Sequence, residues 1–360
     1  MDPRPVPVDR ADGHADADAA LSADQPVTAK SLSSGVVIPL ARLDRPRFHE
    51  DLALLAGLGL GSVRITLDWA WLQPKPGEML GEAVEWYIGA LQTARSHGIA
   101  LHLTLLDRAA PIWFDNDGGF TDARFAGHWW PRWVESVSDT FGDALGSCGG
   151  SWVPFDNPLG YANTVIANDP RRHGELLDTL MVGWRDAWRV LRGGPPVMSC
   201  FGVMTIRPVD QTIPAEHAAR RLDQLRWRLW LQALRDGTIS IPGRSDRQLA
   251  DLAGACDVLG ISIPDVREAL GAIHRTAEMG PDRPLAVTLL TPPGSDSDRL
   301  ATIQRLREDS IEAAQGTPLQ SVHLSPTFDI DGFDNGIITR DRDVKDSAYE
   351  FALPMVVPQR

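Results

Sequence analysis

The sequence predicts an α/β fold, a single-domain (β/α)8 TIM barrel, from three observations. Eight short apolar stretches have strand character, helical periodicities separate them, and nothing between them has the composition of a linker. The candidate strands are 35–39, 62–68, 99–107, 152–156, 197–206, 257–263, 285–291 and 320–325. Apolar residues and clusters of Gly, Pro, Asp and Ser at their borders mark them. Between them apolar residues recur three and four apart, as in Val84, Tyr87, Ile88, Leu91 and Ala94, or Leu177, Leu180, Trp184 and Trp188. Such spacing lays one stripe of each helix on a sheet. Strict alternation favours a closed parallel barrel over an open doubly wound sheet.

At 360 residues the chain suits one large barrel. Residues 1–30 are rich in Asp, Ala and Pro and poor in large apolar side chains, so they are expected to form a flexible tail, leaving 31–360 for the barrel. A net charge of −13 disfavours nucleic acid and anionic membrane as partners, because both recruit clustered Lys and Arg. Cys148, Cys200 and Cys256 are too few and too scattered for a disulfide framework or a zinc site. No apolar run reaches the roughly 18 residues of a membrane span and no leader pattern opens the chain, so the expectation is a soluble cytoplasmic protein. No cofactor is expected.

The stretch 57–74 is the most informative. Gly57, Gly59 and Gly61 lead into a strand that carries Arg64 and Asp68. Four residues apart on a strand, the cation and the carboxylate are expected to share a face. Twelve Trp residues fall mostly on helix faces, where they pack against the sheet. Trp69, Trp71, Trp113 and Trp152 fall near strand ends, where an aromatic ligand wall is conceivable.

Arg64-Ile65-Thr66-Leu67, with Trp69, Leu72 and Pro74, resembles the second strand of the family 1 glycoside hydrolases, the β-glucosidase family of (β/α)8 barrels, where Arg-Phe-Ser-Ile-Ser-Trp-Ser-Arg-Ile-Leu-Pro is usual. Leu103-Thr104-Leu105-Leu106-Asp107-Arg108-Ala109-Ala110-Pro111 is similar to the family's Val-Thr-Leu-Tyr-His-Trp-Asp-Leu-Pro. Trp152-Val153-Pro154-Phe155-Asp156-Asn157-Pro158 resembles Trp-x-Thr-Phe-Asn-Glu-Pro, and Asp257-Val258-Leu259-Gly260-Ile261-Ser262 resembles Asp-Phe-Leu-Gly-Ile-Asn. The likeness runs in order from about residue 44 to residue 340 and is carried by scaffold positions.

The resemblance implies a retaining glycosidase, which needs two carboxyl groups about 5 to 5.5 Å apart. At the position of the family's proton shuttle this chain has Asn157, whose amide has no proton to transfer at neutral pH. Along 284–291 the alignment puts Leu289 at the family's nucleophile. The sugar-holding His of the third strand is Asp107, and the Asn beside the acid is Asp156. The expected result is a degenerate member without both catalytic glutamates.

Barrel function sits at the carboxyl ends of the strands. There the sequence offers Asp68, Asp107, Asp156 and Arg64 as candidate catalytic residues, the carboxylates for acid–base work and a guanidinium to steady negative charge. Asn157, Arg108, His323, Ser325, Trp69, Trp113 and Leu289 are the candidate substrate-binding residues. With no glutamate at the nucleophile position, Arg64 needs another carboxylate within reach. No metal is expected, since Asp68, Asp107, Asp156 and His323 match no recognised ligand spacing. Three functions fit: a repurposed isomerase, cyclase or lyase acting on a small metabolite; a non-catalytic ligand-binding or partner subunit; and a β-glycosidase with relocated carboxylates.

Overall fold

A computed structural model describes residues 30–358; the expected tail lies outside the described residues except for Lys30. Eight strands form the barrel: β1 Ser31–Ile38, β2 Ser62–Thr66, β3 Ala100–Leu106, β4 Trp152–Phe155, β5 Phe201–Gly202, β6 Leu259–Ile263, β7 Leu285–Leu290 and β8 Leu319–Ser325. Their order around the sheet is β4-β3-β2-β1-β8-β7-β6-β5, and each pair is parallel. Closure falls between β4 and the approach to β5. There the Trp152 N–H donates to the Pro196 carbonyl and the Met198 N–H to the Trp152 carbonyl, each at 2.8 Å.

The fifth strand, expected over 197–206, pairs regularly only at Phe201 and Gly202. Its earlier residues divide their bonds: Met198 reaches β4, while the Ser199 N–H donates to the Val258 carbonyl beside β6. A stretch shared between two neighbours cannot form a long ladder with either.

Around the barrel run α1 Phe48–Gly57, α2 Gly81–Ser96, α3 Ala123–Ser147, α4 His173–Leu191, α5 Ile213–Asp223, α6 Ala269–Met279, α7 Asp296–Gly316 and α8 Asp346–Ala352. Side chains of Asp122, Thr212 and Ser295 cap α3, α5 and α7 by accepting from first-turn N–H groups. The chain leaves α5 through a π-helical turn, Gln224–Arg228, and continues as helix Leu229–Asp236. Among the described residues no helix is long and apolar enough to cross a membrane.

Strand alternation divides the interior in two. Val63, Ile65, Leu101, Leu103, Leu105, Val287 and Leu289 join the main core, together with Trp130, Trp133, Trp184 and Trp230 from the helices. Facing the axis instead are Ser62, Arg64, Thr66, Thr104, Thr288, His323 and Ser325, all buried. Barrels of this kind usually fill their axis with layers of Val, Ile and Leu; this axis is polar. Val153, Met198, Cys200 and Ala286 supply a small apolar cluster of their own.

Burying polar groups is tolerable only if they are bonded. Accordingly, Ser62 Oγ lies 2.9 Å from His323 Nε2, and Ser151 Oγ lies 2.8 Å from His102 Nδ1. The two imidazoles meet edge to face with centroids 5.7 Å apart. Burial, helped by Arg64, lowers the His102 pKa to about 4 and holds His323 well below its usual range, so both are neutral at neutral pH. Gly35 makes the packing possible, since a Cβ there would stand 2.1 Å from Ser62 Oγ and 2.7 Å from His323 Cδ2.

Candidate active site at the carboxyl end of the barrel

Arg64 is the middle axial residue of β2, and its side chain is 4% exposed. Its Nη2 meets Asp156 Oδ2 at 3.0 Å, the carboxylate standing just beyond the end of β4. Asp156 also accepts from the Cys200 thiol, whose Sγ lies 3.1 Å from Oδ1. Burial opposes the charge on Arg64, but the neighbouring acidic groups, Asp156 foremost, raise its pKa above the ordinary value. Burial also raises the Cys200 pKa, so the thiol stays protonated and acts as a donor rather than a nucleophile.

Asp107 follows β3 directly. Burial and then the charge of Asp156 push its carboxyl up to about 7, against a smaller downward pull from Arg108 and Arg64. A carboxyl that titrates near neutrality can both give and take a proton at working pH. The sequence-predicted pair Asp107 and Asp156 therefore shares one electrostatic neighbourhood with Arg64, and Arg108 stands exposed at its edge.

Other candidates lie elsewhere. Asp68 does not share a face with Arg64, because β2 ends at Thr66; its carboxylate caps the short helix Trp69–Leu72 through the Trp71 N–H and pairs with Arg45. Leu289 does not line the mouth: it is fully buried in the core between barrel and helices, whereas Thr288 faces the axis and Leu290 is 38% exposed. Neighbouring residues on a strand point to opposite faces, so Leu289 and Thr288 cannot both line the axis. The conclusion that β7 offers no carboxylate is unaffected, since Leu285–Leu290 contains none.

Trp69 forms no ligand wall; it is 2% exposed, stacks on Trp133 at 5.0 Å and donates from Nε1 to Gln73 Oε1 at 2.9 Å. Trp113, partly buried, meets Trp69 edge to face and donates to the Gln73 carbonyl at 2.9 Å. Asn157 has a left-handed backbone, φ 51°, which Asn tolerates better than most residues. Its side-chain oxygen accepts from the Gly160 N–H at 3.2 Å, capping helix Pro158–Val165. His323 lies inside the barrel against Ser62, and Ser325 ends β8 with its carbonyl accepting from the Thr291 N–H.

Directly below Asp156 the axis is nearly full, and the larger cavity along it, about 590 Å³, opens at the amino end beside Ser62 and His102. The cavity bounded by Arg64, Met198, Cys200, Thr288 and His323 holds about 10 Å³, room for about one water at most. Asp156 and Asp107 follow the carboxyl ends of β4 and β3, above this filled layer. Among the described residues no group of three or more His, Cys, Asp or Glu is placed to hold a metal ion. In the sequence Cys200 stands only among scattered cysteines, inside the expected strand 197–206, and nothing there announces the contact with Asp156.

Residues 43–165 match the family described as Glycosyl hydrolase family 1. In fold the chain is similar to a family 1 β-glucosidase from Thermotoga maritima, with 14% identity and a TM-score of 0.74 over 90% of this chain and 98% of that one. A β-glycosidase from Pyrococcus horikoshii gives 16% identity and a TM-score of 0.75, covering 92% and 95%. A GH1 β-glucosidase from Exiguobacterium antarcticum B7 gives 15% and 0.76, covering 89% and 96%. These likenesses establish the (β/α)8 fold.

Proposed function

We propose that the chain is a family 1 glycoside hydrolase homologue without the retaining-glycosidase machinery, acting in the cytoplasm as an acid–base enzyme on a small metabolite. Asp107 is the proton-transfer group, and the Arg64–Asp156 pair fixes the field around it. The observation that carries this reading is the Asp107 carboxyl, brought to about 7 by burial and by Asp156. Such a group suits isomerase, cyclase and lyase reactions that proceed by proton transfer, and these need no second carboxylate as nucleophile. The altered sugar-holding positions point to a non-sugar or glycosylated substrate of secondary metabolism.

A second reading is a pseudoglycosidase that binds a ligand or a protein partner without turnover. The filled layer under Asp156 favours it, because it leaves no deep sugar-sized chamber directly below that carboxylate. Incubation of the protein with pools of small metabolites, followed by mass spectrometry, separates the two. Conversion by the wild type that disappears in a folded Asp107→Asn variant supports the enzyme. A compound retained but unchanged by both supports the binding subunit.

A further inference from the structure

The π-helical turn Gln224–Arg228 sends Arg226 over the end of β5. Cys200, two residues before Gly202, points into the barrel and touches Asp156. Alternation gives Gly202 the same side. A Cβ built on Gly202 would meet Arg226 Nε and Nη2, both at 3.3 Å. The guanidinium therefore occupies the space above Gly202 on the mouth side of the strand, one axial step above the Cys200–Asp156 contact. The same turn packs on helix Pro158–Val165, which follows Asn157.

Among the described residues no carboxylate lies within ion-pair distance of Arg226, and its Nε is buried without an acceptor. Burial lowers its pKa, with no acidic neighbour to offset that. Its neighbour Arg228 pairs with Asp223, and Arg45 pairs with Asp68. Arg275 likewise has buried guanidinium nitrogens without acceptors, but it is the Arg226 guanidinium that stands against Gly202, on the strand that follows Cys200. Desolvating a cation is costly unless an anion joins it. Single π-turns inside helices recur at functional sites.

We propose that Arg226 anchors an oxyanion of the ligand, a carboxylate or a phosphate, so that the mouth beside Asp156 takes an anionic small molecule. Gly202 leaves room for the guanidinium, and the planar fork of Arg226 matches either oxyanion with paired N–H donors. This rests on the mouth being the binding site under the function proposed above, but not on proton transfer by Asp107.

The test is isothermal titration of the full chain with inorganic phosphate and, separately, with benzoate. The wild type is expected to bind at least one of them in a salt-sensitive manner, and the better probe identifies the oxyanion. Arg226→Met should weaken that binding about tenfold, the size expected for losing a charged hydrogen-bond partner. Arg226→Lys should recover part of it. Arg220→Gln, which alters an exposed arginine paired with Glu216, should change nothing. If the Met variant does not fold, Arg226→Gln carries the same comparison. Equal binding by wild type and Arg226→Met, or no binding of either probe to the wild type, overturns the proposal. Asp107→Asn should retain probe binding, and if it also retained turnover the acid–base reading would fail while the anchor stood.

Discussion

Arg64 and Asp156 form an ion pair of 3.0 Å in which the cation is 4% exposed and the anion 20%. The guanidinium cannot leave the axis, since β2 holds it between β1 and β3. Removing its partner leaves a buried charge unpaired. Asp156→Asn should therefore cost about 3 kcal/mol in urea unfolding. The double change Arg64→Met with Asp156→Leu should cost less than the single one.

Two sets of groups set the acid response, with opposite signs. The folded Asp107 pKa, about 7, lies above its ordinary value, so its contribution is present at low pH and is lost as pH rises through about 7. Asp107→Asn should thus be more stable than wild type at pH 8, by roughly 1–2 kcal/mol after discounting for partial exposure, and the gain should vanish toward pH 4. His102 behaves the other way: its folded pKa, about 4, lies below the usual 6.5, so stability present above 6.5 is lost as pH falls toward 4. Thermal melts of Asp107→Asn and His102→Gln across pH 4 to 8 separate the two slopes.

Gly35 is required by close approach alone, since a methyl group there would overlap both Ser62 and His323. Gly35→Ala should destabilise by about 1–3 kcal/mol or more, the usual cost of overpacking. In Gly35→Ala with Ser62→Gly the loss should be smaller, because the nearest clashing atom, Ser62 Oγ at 2.1 Å, is removed. Chemical denaturation of both variants checks this.

Nitrophenyl β-glycosides should not be cleaved above background. Asn157→Glu alone should not create activity: position 157 caps a helix, and β7 still has no carboxylate. Prompt nitrophenol release by the wild type, abolished in Asp156→Asn, would show that relocated carboxylates do the work after all.

The barrel was legible because its information is periodic. Eight strands and the intervening helices follow from apolar spacing, and the end of β2 was overrun only because Leu67 and Asp68 continue its alternation while the backbone turns into a short helix at Trp69. The need of Arg64 for a carboxylate was legible too, from the cost of burying a charge, and Asp156 meets it. The face of Leu289 was not, because Leu285–Leu290 holds a single polar residue, Thr288, and one polar position among apolar ones does not fix the phase of a strand buried on both faces. Cys200 and Arg226 were hidden for another reason: each matters through a contact more than 20 residues away in sequence, with Asp156 and Gly202 respectively.

The most direct measurement is the carbon NMR titration of the Asp107 carboxyl in the folded protein, assigned with Asp107→Asn. A midpoint near 7 that falls when Asp156 is replaced by Asn is the predicted result. A midpoint near 4, indifferent to Asp156, would contradict an acid–base role for this mouth.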